Sequence, residues 1–120
     1  YSQSKLAVIL LTYEWARRLE GTGVTVNALD PGFVATNVIS ANGGRPWMLF
    51  QAIANMVGIS PDEGAQTILH LASSPGVAGT TGQYFKDCKP VRSSPASYDL
   101  VAAQRLWNVC LEMTGEIPSL

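Results

Sequence analysis

Tyr1 and Lys5, in the run Tyr1-Ser2-Gln3-Ser4-Lys5, are the residues whose types and spacing suit proton chemistry. Helix formers continue from them without a break to Glu20. Residues four apart on a helix lie on one face, so the phenol and the ammonium can share a site. A free phenol titrates near pH ~10 and carries protons poorly at neutrality, but a neighbouring cation favours its phenolate. A tyrosine so placed is a candidate general acid or base. Taken alone the pair is not specific, because an amphipathic Tyr and a solvated Lys on a surface helix have the same spacing.

The helix expected from Tyr1 to Glu20 sets Leu6, Ile9, Leu10, Tyr13 and Ala16 on an apolar stripe that Ala7, Leu11 and Trp15 widen. Arg17 and Arg18 suit the negative end of its dipole, and Gly21 with Gly23 stops it. Val24 to Leu29 then reads as an uncharged strand of the kind buried on both faces of a parallel sheet. Behind it stands Asp30-Pro31-Gly32-Phe33-Val34-Ala35-Thr36. In open α/β sheets ligands bind at the carboxyl ends of strands, and a Pro-Gly pair lets backbone groups approach them closely. The same pair is also an ordinary turn.

Further on, Asn37 to Gly44 reads as a loop and Arg45 to Val57 as a short helical stretch rich in Trp47, Met48, Phe50 and Ile53. That stretch suits a lid over a hydrophobic substrate, and equally core packing or a subunit contact. Ser60-Pro61-Asp62-Glu63 has the cap, first-turn proline and capping-box Glu of a helix start, with Ala65, Ile68, Leu69 and Ala72 as its buried stripe. Gly82 to Phe85 reads as a last short strand, and Lys86 to Ser97 as an irregular connection. Ser97 is the expected cap of a final helix, Asp99 to Thr114, with Leu100, Ala103, Trp107, Cys110 and Leu111 on one face. A long helix, a glycine turn and a buried strand form half of a βαβ unit. The fold class expected is therefore α/β, with residues 1–120 forming the C-terminal part of a single doubly wound (Rossmann-type) parallel sheet domain. Its other strands are expected N-terminal to Tyr1.

Apolar residues make up 47 per cent of the chain, enough for a core, and only 14 per cent are charged, against about 25 per cent in an ordinary soluble domain. A net charge of −1, with no basic cluster beyond Arg17-Arg18, gives no electrostatic footprint for nucleic acid or an anionic membrane. Cys88, Cys110 and the single His70 lack metal-ligand spacing, so no metal site is expected and the thiols are read as reduced. No apolar run approaches bilayer-crossing length, so any membrane attachment would come through sequence upstream.

In combination these residues resemble the short-chain dehydrogenase/reductase family. Tyr1-Ser2-Gln3-Ser4-Lys5 matches its Y-x-x-x-K motif, and Val24-Thr25-Val26-Asn27 followed by Pro31-Gly32 and Thr36 matches its next strand and cofactor loop at the right distance. Gly82 to Cys88 and Arg105 to Val109 resemble the retinol dehydrogenase-like branch, so the similarity spans nearly the whole chain. The resemblance implies an oxidoreductase using NAD(P), with NADP(H) favoured, on a small hydrophobic alcohol, aldehyde or ketone of retinoid kind. Tyr1 would pass a proton to or from the substrate oxygen, and Lys5 would hold the ribose hydroxyls and acidify the phenol. Pro31, Gly32 and Val34 would contact the nicotinamide end, with the Thr36 hydroxyl near the diphosphate. Trp47 and Phe50 are candidate substrate contacts, and Ser4 is read as helix packing.

The family's glycine-rich phosphate loop, ribose-selecting residue and active-site Asn and Ser would all lie upstream of Tyr1. The activity is therefore expected of the parent protein and not of these residues alone. Asp30 stands where the retinol dehydrogenase-like branch often carries His. Two alternatives share features of the pattern. Extended-type epimerases and dehydratases have the Tyr/Lys pair but a larger C-terminal substrate domain, and a non-catalytic relative would keep the fold as an interaction module. The expected location is the cytoplasm or the cytosolic face of an intracellular membrane, with the Trp47 to Val57 stretch and the last helix as candidate homodimer surfaces.

Overall fold

A run of helix formers without interior Gly or Pro carries the first helix, α1, from Ser2 to Arg18. The structure, a computed structural model, describes residues 1–32 and 61–115. Helix α1 buries Leu10, Tyr13 and Ala16 as the stripe requires, and also Thr12 and Glu14. Thr12 returns its hydroxyl to the Val8 carbonyl at 2.9 Å. The Glu14 carboxylate, on a residue only 3 % exposed, accepts from Arg17 Nη2 at 2.5 Å and from Arg18 Nε at 2.7 Å. The two arginines thus serve a buried carboxylate as well as the helix dipole. Burial by itself would raise the Glu14 pKa, but the two guanidiniums outweigh it and hold the group below its ordinary 4.5.

Strand β1 spans Ala28–Asp30, later than the Val24 to Leu29 read from β-branched residues. Val24 and Thr25 are exposed, and bonding to the neighbouring segment starts only at Val26. There the Val26 N–H donates to Thr81 Oγ1 at 3.0 Å, and the Val26 carbonyl accepts from the Gly82 N–H at 2.8 Å. Strand β2, Tyr84–Lys86, runs parallel to β1 with Ala28 opposite Tyr84 and Asp30 opposite Lys86. Among the described residues β2 is the sole neighbour of β1, which leaves β1 half-buried and not covered on both sides. Parallel neighbours need a crossover, and helix α2, Pro61–Ser73, lies between them in sequence.

Successive strand residues face opposite ways. Tyr84 lines a groove beside α1, whereas the ring of Phe85, 1 % exposed, lies 6.5 Å from His70 of α2. Helices α1 and α2 therefore lie on opposite faces of the sheet, the arrangement of a doubly wound α/β domain. The inward edge of α2 differs from the expected stripe: Gly64 and Thr67 are buried, while Ile68, Leu69 and Ala72 are exposed. Thr67 Oγ1 accepts from the Cys88 N–H at 3.2 Å, and that bond fixes the rotation of the helix.

The stretch after β2 is ordered where an irregular connection was expected. Strand β3, Lys89–Val91, returns antiparallel on β2 through Asp87 and Cys88, both at positive φ (50° and 60°). Pro90 is accommodated because β3 is, among the described residues, the edge of the sheet. A 3₁₀ turn over Pro95–Tyr98 leads to helix α3, Leu100–Thr114. The cap of α3 is Asp99, whose Oδ1 accepts from the Ala102 N–H at 3.0 Å, and not Ser97. Ser97 is instead buried in a chain of hydroxyls, 2.6 Å from Ser93 Oγ, which is 2.7 Å from the Tyr13 hydroxyl. That chain ties α1 to the turn before α3. Trp15 of α1 meets Trp107 of α3 edge to face at 4.6 Å, and Arg18 stands 4.3 Å over the Trp107 ring. Cys110 is half-buried against the same contact, and Leu100, first in its helix, is exposed.

Two outcomes are expected for the full-length protein. Gly82 has φ +67°, and a Cβ there would lie 3.2 Å from Ala16 Cβ, whereas Gly79, at φ +76°, has no atom within 4 Å of that position. Both alanine variants bear a left-handed backbone penalty of about 1–2 kcal/mol. Gly82→Ala should lose about 1–3 kcal/mol more in urea unfolding, because it also pushes α1 off the sheet. Equal losses would remove the close approach from the explanation. For Glu14, a pKa lower in the folded than in the unfolded chain gives stability that is present above about 4.5 and lost as pH falls through the lower folded value. Thermal unfolding across pH 6 to 3 should show a shallower acid slope for Glu14→Gln than for the wild type.

Candidate active site

Tyr1 is the N-cap of α1, and its carbonyl accepts from the Lys5 N–H at 3.0 Å and from Ser4 Oγ at 2.7 Å. Ser4 is exposed, so its part is to fasten this first turn and not to pack the helix. One turn on, Lys5 Nζ stands 5.3 Å from the centroid of the Tyr1 ring, a cation over a π-face. The Tyr1 side chain is otherwise open, with the residue 94 % exposed.

Strand β1 delivers its carboxyl end to the same place. A groove of about 480 Å³ runs between the first half of α1 and β1, with Tyr1, Lys5, Asn27, Asp30, Pro31 and Tyr84 among its lining residues and Val8, Ile9, Ala28 and Leu29 as apolar wall. This volume lies in the range of small-molecule sites. Tyr1, Lys5 and Pro31 are thus brought together, and Gly32 follows in the bend. Val34, Thr36, Trp47 and Phe50 lie outside the described residues. Among the described residues no group of three His, Cys, Asp or Glu side chains is placed to hold a metal ion, and no helix is long and apolar enough to cross a membrane.

Three further residues, given no role at the site from the sequence, shape the groove. Asp30 Oδ1 accepts from the Gly32 N–H at 2.9 Å, closing an Asx turn around Pro31 with Gly32 at φ 76°. Its other oxygen lies 3.6 Å from Lys86 Nζ. An Asp directly before Pro-Gly was the available signal for that turn. Asn27 bridges the two parallel strands at their entry: Nδ2 donates to the Thr80 carbonyl at 2.7 Å and Oδ1 accepts from the Gln83 N–H at 3.0 Å. Its partners are more than fifty residues away in sequence, so no local pattern announces it. Tyr84 forms part of the lining, and its phenol is pushed up first by burial and then by the Asp30 charge, with Lys86 opposing.

A family model described as Enoyl-(Acyl carrier protein) reductase matches residues 1–86. Retinol dehydrogenase 14 of Homo sapiens is 48 % identical over 122 residues, an alignment covering 96 % of this chain and 35 % of that protein. Retinol dehydrogenase 12 of Homo sapiens is 41 % identical over 117 residues, and polyprenol dehydrogenase of Homo sapiens 38 % over 125, each covering 96 % of this chain and 36 % of the relative. The chain spans about a third of the length of the curated relatives it matches.

Asn27→Ala would leave the Thr80 carbonyl without its partner and return the exposed Gln83 amide to water, at a cost of about 1–2 kcal/mol. Chemical unfolding of the full-length protein should show that loss, together with faster hydrogen exchange at the Gln83 amide. Unchanged stability and protection would show that the bridge does not hold the strands.

Proposed function

The chain belongs to the short-chain dehydrogenase/reductase family, and from that premise we propose that the protein carrying it is a nicotinamide-dependent oxidoreductase interconverting a hydrophobic alcohol and its carbonyl compound. The observation that carries this reading is the single groove lined by Tyr1, Lys5 and the Pro31 bend. Its donor set fits the nicotinamide end of a dinucleotide: an ammonium for ribose hydroxyls, a phenol for the substrate oxygen and a glycine-containing backbone bend for the carboxamide. When bound, that cofactor supplies or accepts the hydride. Tyr1 gives its hydroxyl proton to the substrate oxygen in reduction and takes it back in oxidation. Lys5 sets its ammonium beside the Tyr1 ring and would hold the ribose hydroxyls. The Pro31-Gly32 backbone would orient the nicotinamide end, with Val34 and Thr36 as further cofactor contacts.

NADP(H) is the favoured cofactor, from the similarity to the retinol dehydrogenase-like branch. Trp47 and Phe50 supply apolar contacts to the substrate. Two of the relatives are named for retinol and one for polyprenol, which favours an alcohol or aldehyde on a long isoprenoid chain. Residues 1–120 form the C-terminal portion of one domain, and the phosphate-binding half of the site comes from the rest of the protein. We place the protein in the cytoplasm or on the cytosolic face of an intracellular membrane.

With the full-length protein, NADPH oxidation should be measured against a panel of long-chain aldehydes that includes retinal. Tyr1→Phe should lower kcat by about 10²- to 10⁴-fold while NADPH still binds, since a positioned proton donor has been removed. Lys5→Met should both raise KM for NADPH and lower kcat. Absence of turnover in the wild type, or an undiminished rate in Tyr1→Phe, would contradict the reading.

A further inference from the structure

We propose that Asp30 is a positioning residue of this site, its carboxylate selecting the one conformation of the Pro31-Gly32 bend that faces the dinucleotide. The inference rests on the oxidoreductase reading above. Asp30 is the last residue of β1, so its backbone is held by the sheet, opposite Lys86. Pro31 has no N–H, which makes the Gly32 amide the first donor of the loop. Glycine populates both signs of φ with similar ease, so without a further restraint that amide can point either way. The 2.9 Å bond from the Gly32 N–H to Asp30 Oδ1 captures it and accompanies φ +76° at Gly32. One short side chain on a rigid strand thus holds the Gly32 amide, and with it the Pro31-Gly32 bend, in one orientation at the groove.

The charge on Asp30 is a side effect that the surroundings offset. Its second oxygen lies 3.6 Å from Lys86 Nζ, and Lys5 lines the same groove. The carboxylate also faces Tyr84, whose phenol it pushes up after burial has done so. The hydrogen bond needs an acceptor at this distance from the backbone, not a negative charge. Asparagine therefore suffices where alanine does not.

The test is steady-state kinetics of the full-length protein with NADPH and an aldehyde substrate, joined to fluorescence titration of NADPH. Asp30→Ala should raise both KM and Kd for NADPH about tenfold, the equivalent of one hydrogen bond, with kcat within about threefold of wild type. Asp30→Asn should return both constants to within about twofold, because its Oδ1 still accepts from Gly32. Asp30→Glu, which moves the acceptor one methylene outward, should behave as Asp30→Ala and replaces it should the alanine variant not fold. Unchanged NADPH constants in Asp30→Ala, or an Asp30→Asn as impaired as Asp30→Ala, would overturn the inference. If those results came with a Tyr1→Phe enzyme that had lost turnover, the oxidoreductase reading would stand without it. A wild type that neither binds nor oxidises NADPH would overturn both.

Discussion

The parallel pairing of β1 with β2, with Ala28 opposite Tyr84, is the constraint on which the site depends. A slip of one residue would turn the side chains of one strand to the other face, taking Tyr84 out of the groove. Asn27 works against such a slip, because its amide reaches the Thr80 carbonyl and the Gln83 N–H together in this register. Gly82 contributes by what it lacks: with no side chain there, Ala16 can come against the sheet. With α1 seated in this way, its first turn stands over the carboxyl end of β1, and Tyr1, Lys5 and Pro31 face one space.

The two halves of α1 have different tasks. The second half is fixed by the Tyr13, Ser93 and Ser97 hydroxyls, by the Glu14 carboxylate between two arginines, and by Trp15 against Trp107. Burial raises the Tyr13 pKa against the opposing bond to Ser93, so its hydroxyl stays a neutral structural group over a wide pH range. At the other end the first turn, residues 1–5, is exposed and carries the two side chains suited to proton transfer.

Much of this was legible from local pattern. The spacing of Tyr1 and Lys5, the centre of the apolar stripe of α1 and the bend at Pro31-Gly32 follow from helix geometry and turn chemistry and are present in the structure, whereas α1 is capped by Leu19 ahead of the glycines and Trp15 stays exposed. What was not legible is non-local. The start of β1 is set by Thr80 to Gln83, more than fifty residues away, and not by the β-branched run at Val24. The β2–β3 hairpin turns on Asp87 and Cys88, a pair without the glycine that usually marks such a turn. The inward edge of α2 is chosen by the hydroxyl of Thr67 bonding a hairpin amide, so the more hydrophobic Ile68 and Leu69 face out. Asp30 lies between these cases: its residue type before Pro-Gly marks a turn, while its hold on Gly32 depends on where β1 ends.

The most direct test of the groove as a site of coupled proton and hydride transfer is isotopic. The full-length protein would be incubated with NADPH carrying deuterium at the reactive nicotinamide carbon and with retinal or another long-chain aldehyde, and the alcohol analysed by mass spectrometry. The expected result is one deuterium on the carbinol carbon with the wild type, and transfer reduced by at least about a hundredfold in initial rate with Tyr1→Phe. Alcohol formed without deuterium under NADPH deuterated on either face, or labelled alcohol appearing equally fast with Tyr1→Phe, would contradict the assignment of Tyr1 and its groove.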